Sequence, residues 1–391
     1  MKIAFVTKIS MPGKRGVCFA IAQMCHAFSQ NGHQVKLILP NREIDQSLRN
    51  ENFWDYFQIQ RNSFEIKKLP AIVLPRFNIR EIVLGWSFSL VTFIYFIFQR
   101  PSYVHLFTEC KELLVLLRIF SWLYHPTVVY EVHVLPHNPY EKILDWLGVP
   151  VANLVISTTQ NVAGHYKSKV KLVKVVPSGI NLESFDYKTP KTKIRQRLGV
   201  ATNKIIIGYG GRFVTDKMEK GIPDLIRAVS ILKKNYKNMI LFCVGGPAEY
   251  VNKYRLLSKK SGLTAREAIF LDHVPPSRLY EYMRVFDVCV MPFPNNPHFA
   301  YIMSPLKMFE YMASKNPIVA TNLPSVKEVL TNGETALLAK PGNHKDIALN
   351  IDLLIRDQKL GRRLSKAAFL LVAKTHTWRK RQRAIIAAVS N

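Results

Sequence analysis

IIIGYGGRFVTDKMEKGIPDLIRAV, residues 205–229, reads as a strand, a glycine turn, a loop and a helix. Ile205–Tyr209 is a short apolar run bounded by turn residues, the pattern of a buried strand. Gly210 and Gly211 permit a tight turn, and a helix-length segment runs from Gly221 to Lys234. A strand feeding a helix through glycines is the unit of a parallel sheet. Arg212 and Lys220 stand in the connection and have the chemistry to meet one diphosphate, the Arg as a planar fork and the Lys as a point charge. Two ordinary surface cations would read the same way.

The pattern continues in both directions. Downstream, Met239–Val244, Ala268–Leu271, Val288–Met291 and Pro317–Thr321 are strand candidates. Helices are expected at Glu249–Lys260, Ser277–Val285 and Ser304–Ser314. Upstream, an earlier set comprises Ile3–Thr7, Gln34–Leu39, Tyr103–Phe107, Val128–Val132, Leu154–Ser157 and Leu172–Val176. Val17–Gln30 and Glu112–Tyr124 are helix-length segments among them. Two successive runs of alternating strands and helices imply an α/β protein with two doubly wound, Rossmann-like domains. The 391-residue length suits two domains. The Pro177-Ser178-Gly179 turn marks the boundary, and the default site is the cleft between the domains.

Composition narrows the class. Apolar residues are 48% and charged residues 21%, which excludes general disorder. The net charge of +28 points to an anionic partner. Residues 1–178 carry 20 basic and 11 acidic side chains, and the remainder carries the larger excess, so no single tail supplies the charge. Five dispersed cysteines include no Cys-x-x-Cys pair, which argues against structural zinc and suits a reducing compartment. The N-terminus lacks the apolar core of a signal peptide. Ile82–Phe98 is an uncharged 17-residue run at the lower limit for a membrane span. It is expected to be a buried core helix, because a span would split the first domain; a helix lying on a membrane surface is the other reading.

Ligands of open α/β sheets gather after strands. After the first strand, Gly13 and Gly16 precede a helix whose N-terminus attracts anions. His133 follows Val128–Val132, where a structural histidine is the plainer reading. Gly245 and Gly246 form another backbone-exposing turn. Ser304 as N-cap and Pro305 in the first turn would open a helix with Leu306, Lys307 and Glu310 on it. Glu310 would lie about 9 Å along the axis from Ser304, a phosphate-to-ribose distance.

Together these segments resemble the retaining glycosyltransferases of family 4, which have the GT-B fold. The resemblance rests on Lys2–Val6 with Gly16, Asn31–Val35, Tyr130-Glu131-Val132-His133, Val175–Asn181, Gly211-Arg212 with Lys220-Gly221, Val244–Gly246 and Asp287–Pro292. Its strongest part is Ser304–Ala313 followed by Asn316–Ala320. Trp378 and the terminal segment resemble the crossover back to the first domain, which implies domains of 1–177 plus about 376–391, and 178–375. There are two departures. Ile302 stands where the family often has a first glutamate, and Asp272 stands where glycine is common.

The resemblance implies a nucleoside-diphosphate sugar as donor substrate, no other cofactor and no metal. Arg212 and Lys220 would hold the diphosphate and Glu310 the ribose. His133 would contact the reacting region; Gly16, Gly211, Gly246, Ser304, Pro305, Leu306 and Lys307 would complete the donor site. The acceptor expected is a cell-envelope glycan or a lipid-linked glycan, as in lipopolysaccharide or polysaccharide assembly. The location expected is the cytoplasm, peripheral on an anionic inner membrane face. Nucleic acid is not an expected partner, although Arg379-Lys380-Arg381 with Arg383 is the feature that a polyanion-binding protein on an inactive scaffold would use. A nucleotide-sugar epimerase or phosphorylase of the same fold is the remaining alternative.

Overall fold

Fully apolar strands need cover on both faces, and the chain supplies it with crossover helices. In the computed structural model, which describes residues 1–74 and 79–390, the first sheet has seven strands. They are β1 (Lys2–Val6), β2 (Gln34–Pro40), β3 (Glu65–Leu69), β4 (Tyr103–Phe107), β5 (Thr127–Val132), β6 (Leu154–Ser157) and β7 (Val173–Val175). Their order is β3-β2-β1-β4-β5-β6-β7, and every pairing is parallel. The order reverses between β1 and β4, so the ligand crevice of this sheet lies at their carboxyl ends.

The second sheet has six strands. They are β8 (Ile205–Gly210), β11 (Met239–Val244), β12 (Ala268–Leu271), β13 (Val288–Met291), β14 (Ile318–Thr321) and β15 (Leu337–Ala339). The order β12-β11-β8-β13-β14-β15 is again wholly parallel, with the reversal between β8 and β13. Between β8 and its helix lies a hairpin, β9 (Val214–Thr215) paired antiparallel with β10 (Met218–Glu219).

The chain divides into two units, Met1–Ser178 with Trp378–Asn391, and Gly179–Thr377. The terminal helix Trp378–Ser390 therefore belongs to the first unit, while Asn391 lies outside the described residues. All five cysteines are buried as free thiols.

Three local expectations are corrected. The helix expected over Glu112–Tyr124 is Lys111–Ile119, because the backbone tightens into a turn after it, with the Ser121 and Leu123 N–H groups donating to the Arg118 and Phe120 carbonyls three residues back. The helix expected to begin at Ser304 begins at Leu306, with Pro305 as N-cap and Ser304 one residue outside. Pro305 has extended backbone (φ −73°, ψ 124°), which a cap position favours over a helical one.

The third correction concerns Ile82–Phe98. It lies within a helix, Arg80–Gln99, that is 20 residues long and holds an 18-residue stretch of mean hydropathy 1.8. This is long and apolar enough to cross a membrane, but it is not wholly buried either. Leu84, Phe88, Phe93 and Phe96 are buried, while Leu90, Ile94 and Phe98 are exposed at 51%, 49% and 78%. The exposed set recurs every four residues and so lies along one face.

Candidate functional site

The carboxyl edge of the second sheet is built from turns that tolerate no side chain. A Cβ on Gly245 would lie 2.3 Å from the backbone of Gly211, so the turns after β8 and β11 touch. Gly221, with φ +78°, faces the carbonyl of Pro292 at 1.7 Å from where its Cβ would be. This joins the segment after β10 to the end of β13, across the β8/β13 reversal.

Arg212 and Lys220 are eight positions apart, and the hairpin brings them together. Asp216 and Lys217 both have positive φ, as a two-residue hairpin turn of the I′ class requires. Val214 pairs with Glu219, and the Lys220 N–H donates to the Phe213 carbonyl at 3.0 Å. Arg212 is exposed, whereas Lys220 is partly buried. Burial, then repulsion from Arg212, depresses Lys220 from an ordinary 10.5 to about 8. The turn pair is Asp216-Lys217 rather than Asn-Gly or Asp-Gly, so this hairpin has no strong signal of its own.

The helix Leu306–Ser314 enters the same edge and is pinned there by Tyr311. The Tyr311 hydroxyl accepts from the Gly210 N–H at 2.8 Å at the end of β8. Glu310, the preceding residue, is buried, and desolvation pushes its carboxyl up to about 7 despite the pull of Lys307 and Lys220. Lys307 is also buried, with its ammonium 3.4 Å from the Tyr209 ring centroid and without a hydrogen-bond partner. Burial holds its pKa well below the ordinary lysine value. Lys307 sits against Gly211, 3.3 Å from where a Cβ would be, and so backs the turn that precedes Arg212.

Gly211, Arg212, Lys220, Gly246, Lys307 and Glu310 thus share one edge. Pro305 and Leu306 supply the helix start, with the first-turn N–H groups that every helix leaves unpaired. Ser304 precedes the cap. Asp272 is packed beside Gly246, with Oδ1 2.0 Å from where a Cβ would lie, and it accepts from the His273 N–H at 2.6 Å. Ile302 ends a π-helical segment, His298–Ile302, just before this helix.

In the first unit, His133 follows β5 and Gly16 begins the helix Gly16–Gln30 after β1. The pair at the centre of this edge is one that sequence reading did not single out. Glu131 is 1% exposed at its side chain and carries four contacts. Its Oε1 accepts from His133 Nε2 at 2.7 Å and from the Arg381 guanidinium at 2.8 Å. Its Oε2 faces His105 Nε2 at 2.7 Å and the other Arg381 nitrogen at 3.4 Å. Burial would raise Glu131, but Arg381 and the two imidazoles outweigh it and hold the carboxyl well below its usual range. His105, fully buried, is lowered by the same burial. Glu131 in β5 and His133 just past its end are two positions apart, the period that puts side chains on one side of an extended chain, a signal present in the sequence. The contribution of Arg381 from the far end of the chain left no such signal.

That location corrects the reading of Arg379-Lys380-Arg381 as one basic surface cluster. Arg381 is 3% exposed, and it also donates to the Pro177 carbonyl at 3.0 Å. Arg383 is occupied by Asn31 Oδ1 at 2.9 Å.

At the β1/β4 reversal stands Glu109, also unforeseen. One of its carboxylate oxygens is buried without a hydrogen-bond partner. Burial raises its pKa against the pull of His133, Lys8 and Arg15. A cavity of about 720 Å³ lies elsewhere, near the amino ends of β1 and β2, lined by Lys2, Gln34, Lys36 and Tyr95. It holds none of the candidate residues. Among the described residues, no group of three or more His, Cys, Asp or Glu is placed to hold a metal ion.

Two parallel doubly wound sheets, each with its crevice at a strand-order reversal, define the GT-B class of glycosyltransferase folds. Residues 190–370, most of the second unit, match the family model of glycosyl transferases group 1. The chain is similar to a lipopolysaccharide 1,2-N-acetylglucosaminetransferase of Salmonella typhimurium, 24% identical over 235 residues. That match spans 57% of this chain and 58% of the relative. Among solved structures, sucrose-phosphate synthase from Thermosynechococcus elongatus superposes with a TM-score of 0.76 at 18% identity, covering 99% of this chain and 97% of the other. HepE of Anabaena, solved with UDP and glucose, has a TM-score of 0.73 at 18% identity, covering 100% and 99%.

Proposed function

We propose that this chain is a retaining, metal-independent hexosyltransferase. It would move a sugar from a nucleoside-diphosphate sugar to a cell-envelope glycan or lipid-linked acceptor. The observation that carries the reading is the arrangement at the β8/β13 reversal of exposed Arg212, half-buried Lys220 and buried Glu310, which form no ion pair with one another. An anionic diphosphate beside Lys220 and Arg212 would relieve their repulsion. A ribose hydroxyl would donate to Glu310. The family-model match of residues 190–370, the named activity of the Salmonella relative and the UDP complex of HepE support the same assignment.

As the glycosidic bond breaks, negative charge grows on the departing diphosphate. Arg212, Lys220 and the unpaired N–H groups at Leu306 and Lys307 oppose it. No protein nucleophile is assigned; the acceptor hydroxyl attacks from the face the diphosphate leaves, and a diphosphate oxygen takes its proton. His133 contacts the sugar near the reacting carbon.

The acceptor is assigned to an anionic membrane surface of the cytoplasmic side. Leu90, Ile94 and Phe98 lie on the helix Arg80–Gln99, Trp122, 75% exposed, in the turn after the neighbouring helix Lys111–Ile119, and Trp146, 73% exposed, on the next helix Pro139–Gly148. Exposed Arg100 and Lys142 accompany them. Apolar insertion with basic charge is what reversible attachment to anionic lipid needs.

Thermal stability with UDP, GDP and ADP tests the donor site. At 100 times its Kd the correct nucleotide adds about 2.7 kcal/mol. A shift with one nucleotide, weakened by Glu310→Ala, supports the assignment, and no shift with any of them refutes it. Co-sedimentation with anionic vesicles that fails for Phe98→Ser with Trp122→Ser supports the membrane face. Wild-type protein staying in the supernatant refutes it.

A further inference from the structure

We propose that Glu131 and Arg381 are positioning residues that fix which nitrogen of His133 meets the ligand. This rests on the reading of His133 as a contact in the reacting region. A carboxylate has only acceptor oxygens, so the ring nitrogen facing it must carry the proton. His133 Nε2 is 2.7 Å from Glu131 Oε1, and the proton therefore sits on Nε2. In the neutral ring the lone pair is on Nδ1, which alone is left to a sugar or acceptor hydroxyl as donor partner.

The rest of the network prevents other arrangements. Arg381 approaches both carboxylate oxygens, at 2.8 and 3.4 Å, so the carboxylate cannot rotate without breaking the fork. Arg381 is itself fixed by the Pro177 and Val176 carbonyls, at 3.0 and 3.3 Å. His105 donates to the second oxygen and its ring stacks on Phe5 at 4.6 Å between centroids. On the other side, the His133 ring packs 4.6 Å from Phe107, and its backbone N–H donates to Thr108 Oγ1 at 2.8 Å. Other charged groups acting on this region are Glu109, Lys8 and Arg15. The terminal helix is thereby a component of the first unit's site, through one guanidinium.

The tautomer is read directly by long-range ¹H–¹⁵N correlation on full-length protein labelled at histidine, with His133→Gln used to assign the signal. The expected pattern is protonated Nε2 and bare Nδ1 for His133 and His105 at a pH where both are neutral. A protonated Nδ1 on neutral His133 overturns the proposal whether or not the chain transfers sugar. Where transfer is measured, Glu131→Gln and Arg381→Lys should lower kcat on the order of 100-fold per folded molecule, with nucleotide affinity unchanged. His133→Asn, whose amide overlies Nδ1, should retain more activity than His133→Gln, whose amide overlies Nε2. Unchanged kcat in folded Glu131→Gln, or the reverse order of the two His133 variants, also overturns it. Loss of nucleotide binding in the unmodified protein instead refutes the donor-site reading and leaves the tautomer result standing.

Discussion

Glu131 and Glu310 are both buried carboxyls near the carboxyl edge of a parallel sheet, and they are treated in opposite ways. Glu131 is saturated by a guanidinium and two imidazoles, and is held well below its usual range. Glu310 has lysines near it but no ion pair, and burial pushes it up to about 7. A buried charge that is fully paired belongs to the fold, because removing its partner strands the other charge. A buried charge left with unmet interactions is a cost that a ligand can offset. The first unit closes its cluster to hold a histidine, and the second leaves its cluster open.

The largest test of that contrast is Glu131→Ala. It leaves Arg381 buried without its counter-charge and should cost about 3–5 kcal/mol of unfolding free energy in calorimetry. A loss below 1 kcal/mol would show that the cluster is not closed. Glu310→Ala should leave the melting temperature unchanged or raise it, since it removes a carboxyl whose ionisation the fold opposes. It should weaken nucleotide binding instead.

Next in size, Arg212→Ala and Lys220→Met should each cost about 1.5–3 kcal/mol of nucleoside-diphosphate affinity by calorimetric titration. Full affinity in both variants would remove the diphosphate from this edge.

The pH dependences should also separate. Lys220 is depressed to about 8, so diphosphate affinity is full below that value and falls as pH rises through it. The loss should be about tenfold between pH 7 and 9. A flat profile there would exclude Lys220 as the phosphate ligand. In the first unit the signs run toward acid. His105 is lowered from 6.5, so the unfolded chain takes its proton first and stability falls as pH drops through the ordinary histidine range. Glu131 is lowered too; its contribution is complete above the usual carboxylate pKa and is lost as pH falls through the depressed one. Melting temperature between pH 8 and 5 measures the smaller histidine effect. Glu310, raised to about 7, drifts the opposite way as it takes a proton, so the comparison is made in Glu310→Ala, where constancy over that interval would mean that His105 is not held neutral.

The alternation of strands and helices was legible throughout, and β4, β6, β11, β12 and β13 begin and end where the apolar runs do. Apolar runs bounded by turns report burial on both faces, and burial is local to each strand. β3 was not legible, because its EIKKL sequence lies at the sheet margin with polar side chains exposed. The β9–β10 hairpin escaped notice because two-residue strands leave no periodicity.

The sequence by itself determined the two doubly wound sheets, the glycine turns after β8 and β11 and the segments from which Arg212, Lys220 and Glu310 come. Each depends on residue types within a few positions of one another. Tertiary structure decided what these residues experience. It took the hairpin to bring Lys220 to Arg212, and the Tyr311 contact to place Glu310 at the end of β8. The return of the terminal helix put Arg381 250 positions along the chain from Glu131 yet within 2.8 Å of it. Distance along a chain carries no electrostatic consequence until folding converts it to distance in space, and burial then sets how strongly each charge is felt.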